Sequence, residues 1–224
     1  MSYKCALGVV GALGLAALAQ QAQAVTLQDL INNGTPVVAG DKIFSDFSSG
    51  GTLPASAVTV NFLDSSGVQF TANWNTLAPG ANSSVIGYTI NVAPQSGMAI
   101  SGANLFFGGQ VVVSNGAAFV GETLTDTANN KDYSLQVYYD GPGGLADNLR
   151  ASTTIDPSVT SLRVVKSIDV AANGANSFAA LNFVENTFVQ TNGGGGPPEV
   201  PEPMSLALLP LGIAGLALRK KFAR

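Results

Sequence analysis

The sequence contains no histidine, and its one cysteine is Cys5, close to the N-terminus. Without histidine, neither Ser-His-Asp nor Cys-His nucleophilic catalysis is available. Zinc and iron sites with histidine ligands are excluded for the same reason. If the segment that holds Cys5 is removed on export, the mature chain has no disulfide. The remaining routes to catalysis are paired carboxylates, a Ser-Lys pair or a metal held by oxygen ligands.

Basic residues are also scarce. Of the 10 lysines and arginines, four lie in the last six positions and one is Lys4. Residues 25–196 hold twelve acidic side chains against five basic ones. Binding to a phosphate backbone requires clustered positive charge, so we expect no nucleic-acid partner.

The N-terminal segment has the order of a secretory signal peptide. Lys4 supplies a positive start, residues 6–19 are apolar, and Ala22-Gln23-Ala24 fits the small-x-small cleavage pattern. We expect export by the general secretory (Sec) machinery and removal of residues 1–24 by cleavage after Ala24. An uncleaved N-terminal anchor is the alternative, but the apolar stretch is short and polar glutamines follow it.

Residues 25–191 read as one β-rich exported domain. Short segments rich in β-branched and aromatic residues alternate with Gly, Asn, Ser, Asp and Pro clusters. The candidate strands are residues 42–47, 57–64, 68–74, 84–92, 104–107, 110–114, 117–124, 134–140, 161–171 and 179–190. This spacing predicts an all-β fold, either an antiparallel sandwich or a jelly-roll-like body.

Local signals predict one helix and two hairpins. Thr26 is the expected N-cap of a short helix, with Asp29 as its capping-box partner and Gly34 as its stop. Ser114-Asn115-Gly116 indicates a tight hairpin with positive φ at the Asn-Gly positions. Ser65-Ser66-Gly67 indicates a second one.

The C-terminal segment has three parts in a fixed order. Residues 192–200 are a Gly/Pro linker, which combines flexibility with a stiffer extended end. Residues 204–218 carry no charge and would span about 22 Å as a helix. Snorkelling lysines and arginines can extend this reach toward the roughly 30 Å of a bilayer core. The basic end should stay in the cytoplasm and the body outside.

The residues of this segment fall into three groups. The proline-glutamate motif is Val200, Pro201, Glu202 and Pro203. The expected membrane anchor uses Leu206, Leu208, Leu209, Leu211, Ile213, Leu216 and Leu218. The basic stop is Arg219, Lys220, Lys221 and Arg224.

Together, residues 201–224 closely resemble the PEP-CTERM sorting signal of Gram-negative bacteria. The resemblance implies a single transmembrane helix, an exosortase partner and processing near Pro201-Glu202-Pro203. It also implies a transient inner-membrane anchor with the body outside the cytoplasm, followed by release to the cell surface or extracellular matrix. Such systems are associated with exopolysaccharide and biofilm.

The body carries few candidates for chemistry. Glu122 and Glu185 are its only glutamates, and both are expected on solvated strand faces or turns, which leaves a carboxylate-based hydrolase as a remote alternative. The Asx-rich loops at 126–132 and 140–148 could supply oxygen ligands for Ca²⁺, but turn geometry requires the same residues. We therefore expect no cofactor and no metal, and Ca²⁺ bound by these loops is the alternative.

The sequence favours an exported, non-enzymatic surface or matrix protein. The alternative is a carbohydrate-binding module of the extracellular matrix. For that role Trp74 and Tyr139 are the candidate residues for stacking on sugar rings, although a Trp at a strand end more often closes a sandwich core. Extracellular polysaccharide is the expected ligand.

Overall fold

The computed structural model of the protein describes residues 24–64, 66–140 and 147–193. Its strands are β1 (Val25–Thr26), β2 (Val37–Ala39), β3 (Lys42–Gly51), β4 (Thr59–Leu63), β5 (Gly67–Leu77), β6 (Gly80–Val92), β7 (Met98–Gly108), β8 (Val111–Val113), β9 (Gly116–Asp126), β10 (Lys131–Tyr139), β11 (Arg150–Val159), β12 (Ser161–Ala172) and β13 (Phe178–Asn192). The helix α1 spans Leu27–Asn33, and short 3-10 turns occupy Ala55–Ala57 and Pro94–Ser96.

The strands form two antiparallel sheets that face each other. The first sheet has the order β1-β4-β5-β13-β7-β11, with β8 pairing with β13 beyond the end of β7. The second has the order β10-β9-β12-β6-β3-β2. The prediction of an all-β sandwich is therefore confirmed.

The core is built by alternation of buried and more exposed residues, which is most regular in β12 and β9. In β12, Leu162, Val164, Ile168 and Val170 are buried on one face together with Lys166, and the residues of the other face are partly or fully exposed. Side chains of a strand point alternately to its two faces, so one face of each sheet is apolar and meets the other sheet. Aromatic rings join the sheets across the core; the centroids of Phe70 and Tyr88 lie 5.7 Å apart.

The helix prediction is confirmed in detail. The Thr26 hydroxyl accepts a hydrogen bond from the Asp29 backbone N–H at 3.1 Å. Gly34 ends the helix in the left-handed conformation, with φ of 59°, and donates its N–H to the Leu30 carbonyl. Leu27 and Leu30 are buried in the core, so the cap fixes the helix against the sandwich.

All ten predicted strands correspond to strands of the structure, but the prediction missed the short strands β1 and β2 and the ten-residue strand β11. This strand lies at the edge of its sheet, where residues need not be apolar, and its sequence includes Pro157. The hairpin predicted at Ser114-Asn115-Gly116 is wrong. β8 pairs with β13 in one sheet, whereas β9 belongs to the other, so this turn carries the chain between sheets with positive φ at Ser114 only.

The second hairpin is confirmed, since Leu63 of β4 pairs directly with Gly67 of β5. The strand β13 runs to Asn192, the first residue of the predicted linker. The signal-peptide residues 1–23 and the sorting segment 201–224 lie outside the described residues. Within the described ranges, neither α1 nor any other helix has the length and apolar character needed to cross a membrane.

Candidate functional site

Three polar side chains occupy inward positions of otherwise apolar strand faces. Glu122 lies on β9 between Val120 and Leu124, and Lys166 lies on β12 in the same row as its buried aliphatic residues. Asn186 lies on β13 and also points into the core. All three are buried, Lys166 and Asn186 completely. Burial of a charged residue is costly unless it is paired, so their arrangement requires an explanation.

The three side chains contact one another in a closed triangle. Lys166 and Glu122 are directly opposite in the β12–β9 register, and the Lys166 Nζ donates to Glu122 Oε2 at 2.6 Å. Asn186 reaches them from the facing sheet. Its Nδ2 donates to the other carboxylate oxygen, Oε1, at 2.7 Å, and its Oδ1 accepts from the Lys166 Nζ.

Aromatic residues close the triangle from water. The Lys166 Nζ lies 5.0 Å from the ring centroid of Tyr88 and 5.3 Å from that of Phe70. The Tyr88 hydroxyl donates to Asn186 Oδ1 at 3.2 Å, and Asn186 Nδ2 also donates to the Asn104 carbonyl at 3.4 Å. Both rings lie within cation–π distance of the ammonium, and the hydroxyl fixes the orientation of the amide.

Burial shifts the proton equilibria of this cluster. It lowers the pKa of Lys166, and the adjacent Glu122 carboxylate opposes that shift without cancelling it. Burial also raises the pKa of Tyr88 well above its usual value, with the Glu122 charge adding to the effect. The lysine is therefore closer to its neutral, nucleophilic form than an exposed lysine, and the tyrosine stays protonated as a hydrogen-bond donor.

Sequence reasoning missed this cluster, although a signal was present. Lys166 shares the period-two face of Leu162 and Val164, and Glu122 shares that of Val120. The expectation that Glu122 lies on a solvated face or turn is wrong. An ionisable residue in the apolar row of a strand, repeated on two neighbouring strands with opposite charge, would have indicated a buried pair.

The two glutamates do not come together. Glu185 precedes the inward-facing Asn186 on β13, and successive strand residues point to opposite faces. Its carboxylate accepts from the Gln69 side chain at 3.1 Å on the outer face of the first sheet. A sheet therefore separates Glu185 from Glu122, and they cannot flank one glycosidic bond.

Trp74 is not available for ligand stacking. The side chain is fully buried, and its Nε1 donates to the Ser84 hydroxyl at 2.9 Å. The indole fills the core, as a Trp at the end of a sandwich strand commonly does. Tyr139 is half-buried and packs against the core at the end of the edge strand β10, so its stacking role stays a prediction.

The Asx-rich loop after β9 is a hydrogen-bonded turn. The Asp126 carboxylate accepts from the backbone N–H groups of Ala128 and Asn129 and from the Asn129 side chain. Asp132 accepts from the Thr125 hydroxyl at 2.7 Å. In the described ranges, no three Asp, Glu, Cys or His side chains lie together as a metal site would require. Residues 141–146 of the second Asx-rich loop lie outside those ranges.

The outer face of the first sheet carries a row of polar and aromatic side chains across four strands. Glu185 is in register with Gln69 on one side and with Phe106 on the other, and Phe106 is in register with Arg150. The Arg150 guanidinium lies 4.3 Å from the Phe106 ring centroid. Phe183 packs edge-on against Phe106 at 5.5 Å, and a shallow hollow of about 440 Å³ opens beside the row.

The residues of the predicted sorting signal, from Val200 to Arg224, lie outside the described ranges. No protein-family model and no curated protein matches this sequence. A solved structure with some similarity is the enzymatically active domain of tailspike protein 4 from bacteriophage CBA120. The TM-score is 0.29 with 14% sequence identity, and the match covers 66% of this chain but only 19% of the tailspike chain.

Proposed function

We propose that this chain is an exported, non-enzymatic protein of the cell surface or extracellular matrix, with a C-terminal PEP-CTERM signal for exosortase processing. The observation that carries the proposal is the order of the C-terminal residues. A Gly/Pro linker, the Val200-Pro201-Glu202-Pro203 motif, an uncharged stretch and a basic end follow one another without interruption. The N-terminal signal-peptide pattern supplies the export step that such a signal requires.

The fold is compatible with removal of that segment. β13 is hydrogen-bonded on both sides and ends at Asn192, and Gly193 donates its backbone N–H to the Gly97 carbonyl. Processing near Pro201 would therefore leave all described strands and their hydrogen bonds in place. On this proposal the folded body reaches the outside of the cell intact, where exopolysaccharide is its expected surrounding.

The test is mass spectrometry of the C-terminus of the full chain expressed in an exosortase-containing Gram-negative host. We expect the mature wild-type protein to lack the residues after the Pro-Glu-Pro motif. Replacing Arg219, Lys220 and Lys221 by glutamate should leave an unprocessed chain that ends in Arg224, because the basic stop would no longer stay at the cytoplasmic face. The charge-conserving control Arg219→Lys/Lys220→Arg should be processed normally. A mature wild-type chain that still ends in Arg224 would contradict the proposal.

A carbohydrate-binding role is the second candidate, and the outer face of the first sheet favours it. Phe106, Phe183 and Arg150 form a partly exposed aromatic and cationic surface beside the hollow. Aromatic rings with neighbouring polar groups are suited to stacking on sugar rings. Retention of the full chain on immobilised exopolysaccharide should fall in Phe106→Ala, and Tyr139→Ala tests the other candidate ring separately. Equal retention of the wild type and Phe106→Ala would exclude this face.

A further inference from the structure

We propose that Lys166 and Asn186 join in an intramolecular isopeptide bond, formed between Nζ and Cγ with loss of the asparagine amide nitrogen as ammonia. Glu122 is the catalytic residue of this self-directed reaction. The product is a covalent link between the two sheets of the sandwich. This inference does not depend on the targeting of the chain.

The geometry places the reacting atoms together. The Lys166 Nζ contacts Asn186 Oδ1, and that oxygen is bonded to the carbon that would be attacked. The two residues come from different sheets, and each is fixed by its strand: Lys166 pairs with Glu122 and Ile86, and Asn186 pairs with Val68. Rigid strands therefore hold nucleophile and acyl group in contact, which converts a slow bimolecular step into a fast intramolecular one.

The two oxygens of Glu122 bridge the attacking and the leaving nitrogen. Oε2 lies 2.6 Å from Lys166 Nζ, and Oε1 lies 2.7 Å from Asn186 Nδ2. The carboxylate first takes a proton from the ammonium, which leaves a neutral amine. The amine lone pair then forms the Nζ–Cγ bond, and a second proton moves through Glu122 to Nδ2. The Cγ–Nδ2 bond breaks, and ammonia departs with its electron pair.

The atoms and charges balance without any oxidant or co-reactant. A lysine ammonium, a glutamate carboxylate and an asparagine amide become a secondary amide, ammonia and a protonated glutamic acid. Before the reaction the core holds a buried ion pair, whereas afterwards it holds no charge. Removing two charges from a low-dielectric interior favours the product.

The surrounding residues match the demands of the reaction. As Nζ attacks, negative charge develops on Asn186 Oδ1, and the Tyr88 hydroxyl already donates to this oxygen at 3.2 Å. A fixed donor at a developing oxyanion stabilises the transition state. Phe70 and Tyr88 cover the amine, and the lowered pKa of Lys166 raises its neutral fraction.

The bond would change how the body carries mechanical load. Lys166 lies in β12 and Asn186 in β13, the strand that leads to the C-terminal segment. Tension that enters through the C-terminal end of β13 would pass directly into β12 at Lys166. Residues 167–185 would carry none of this tension.

The test is a tryptic peptide map of the full chain after purification. Trypsin cuts after Arg163 and after an unmodified Lys166. We expect no cut at Lys166 and a peptide that begins at Val164 and includes Asn186. This peptide should be lighter than its sequence by one ammonia and should give no backbone fragments between residues 166 and 186.

The wild-type map is decisive by itself. Complete cutting after Lys166, with or without loss of ammonia, overturns the proposal, because a succinimide at Asn186 also loses ammonia but leaves Lys166 free.

The variant Glu122→Gln keeps the side-chain shape and removes the proton acceptor, so it should show full mass and an efficient cut at Lys166. The control Lys42→Arg changes the other buried lysine and should keep the missed cut. If the Glu122→Gln chain were cross-linked, Glu122 would not be the catalytic residue.

Discussion

Replacing Asn186 by leucine should destabilise the body by an amount that the structure allows us to estimate. The change removes the acyl group but leaves the Lys166–Glu122 ion pair in place. A link between residues 166 and 186 closes a loop of roughly 20 residues, whose effect on the unfolded chain is worth about 3 kcal/mol. The variant also leaves the buried Tyr88 hydroxyl without its acceptor, which costs about 1–3 kcal/mol.

The expected loss in the free energy of unfolding is therefore at least about 4–6 kcal/mol, since the variant also retains the buried ion pair that the bond would remove. Guanidinium unfolding followed by tryptophan fluorescence measures it, because the single tryptophan, Trp74, is fully buried in the native core. For a body of this size the link alone should account for roughly 6–12 °C in Tm.

A double variant separates the two contributions. In Tyr88→Phe/Asn186→Leu no hydroxyl is left without a partner, so about 1–3 kcal/mol should return and a deficit of at least about 3 kcal/mol should remain. A double variant as stable as the wild type would refute the reasoning, because the chain would then gain nothing from the covalent link.

Three further predictions concern other parts of the molecule. Gly34→Ala should lower the free energy of unfolding by about 1–2 kcal/mol, because residue 34 has φ of 59°. The control Gly50→Ala should change the free energy of unfolding little, because residue 50 has open space around it and no positive φ. Thermal unfolding measures both variants. Phe106→Ala should lower Tm by only a few degrees, because the half-buried outer-face ring loses its contacts with Phe183 and Arg150 but leaves the core intact, and a loss above about 10 °C would contradict this placement. In Asn186→Leu, the pKa of Lys166 is lower in the folded state than in the unfolded state, so the unfolded state binds more protons. The free energy of unfolding, measured by urea titration, should therefore rise with pH toward about 10. The cross-linked wild type should lack this rise, because its amine has been consumed.

Local rules accounted for much of the fold. The helix at Leu27–Asn33 follows from the Thr26 cap and the Gly34 stop, both of which act through backbone hydrogen bonds within a few residues. The long strands follow from alternation of apolar and polar residues. These features depend on neighbours in sequence, so the sequence is sufficient to predict them.

Features that depend on the partner strand could not be predicted in the same way. The edge strand β11 has one side without a neighbour and few apolar residues, so its pattern is weak. The local sequence Asn115-Gly116 is typical of a hairpin turn. Whether the chain forms a hairpin there or crosses to the other sheet depends on the strands with which β8 and β9 pair. Trp74 lies near the end of its strand whether its ring is exposed or buried, so its sequence position does not distinguish the two. Tertiary packing determines that the ring is buried.

The candidate site, like the fold, could be predicted from the sequence only in part. The sequence shows that Glu122 and Lys166 interrupt apolar strand faces, yet it does not show that β9 and β12 are neighbours in register. Asn186 comes from the opposite sheet, and its meeting with the ion pair depends on how the two sheets are stacked. A cluster whose side chains come from both sheets can therefore be identified only from the tertiary structure.

The most direct measurement is a high-resolution crystal structure of the purified protein, read at the contact between Lys166 and Asn186. We expect continuous electron density from Nζ to Cγ at a planar amide length of about 1.33 Å, with no density for the asparagine Nδ2. An intact Asn186 amide, separated from a lysine side chain that makes only hydrogen bonds, would contradict it.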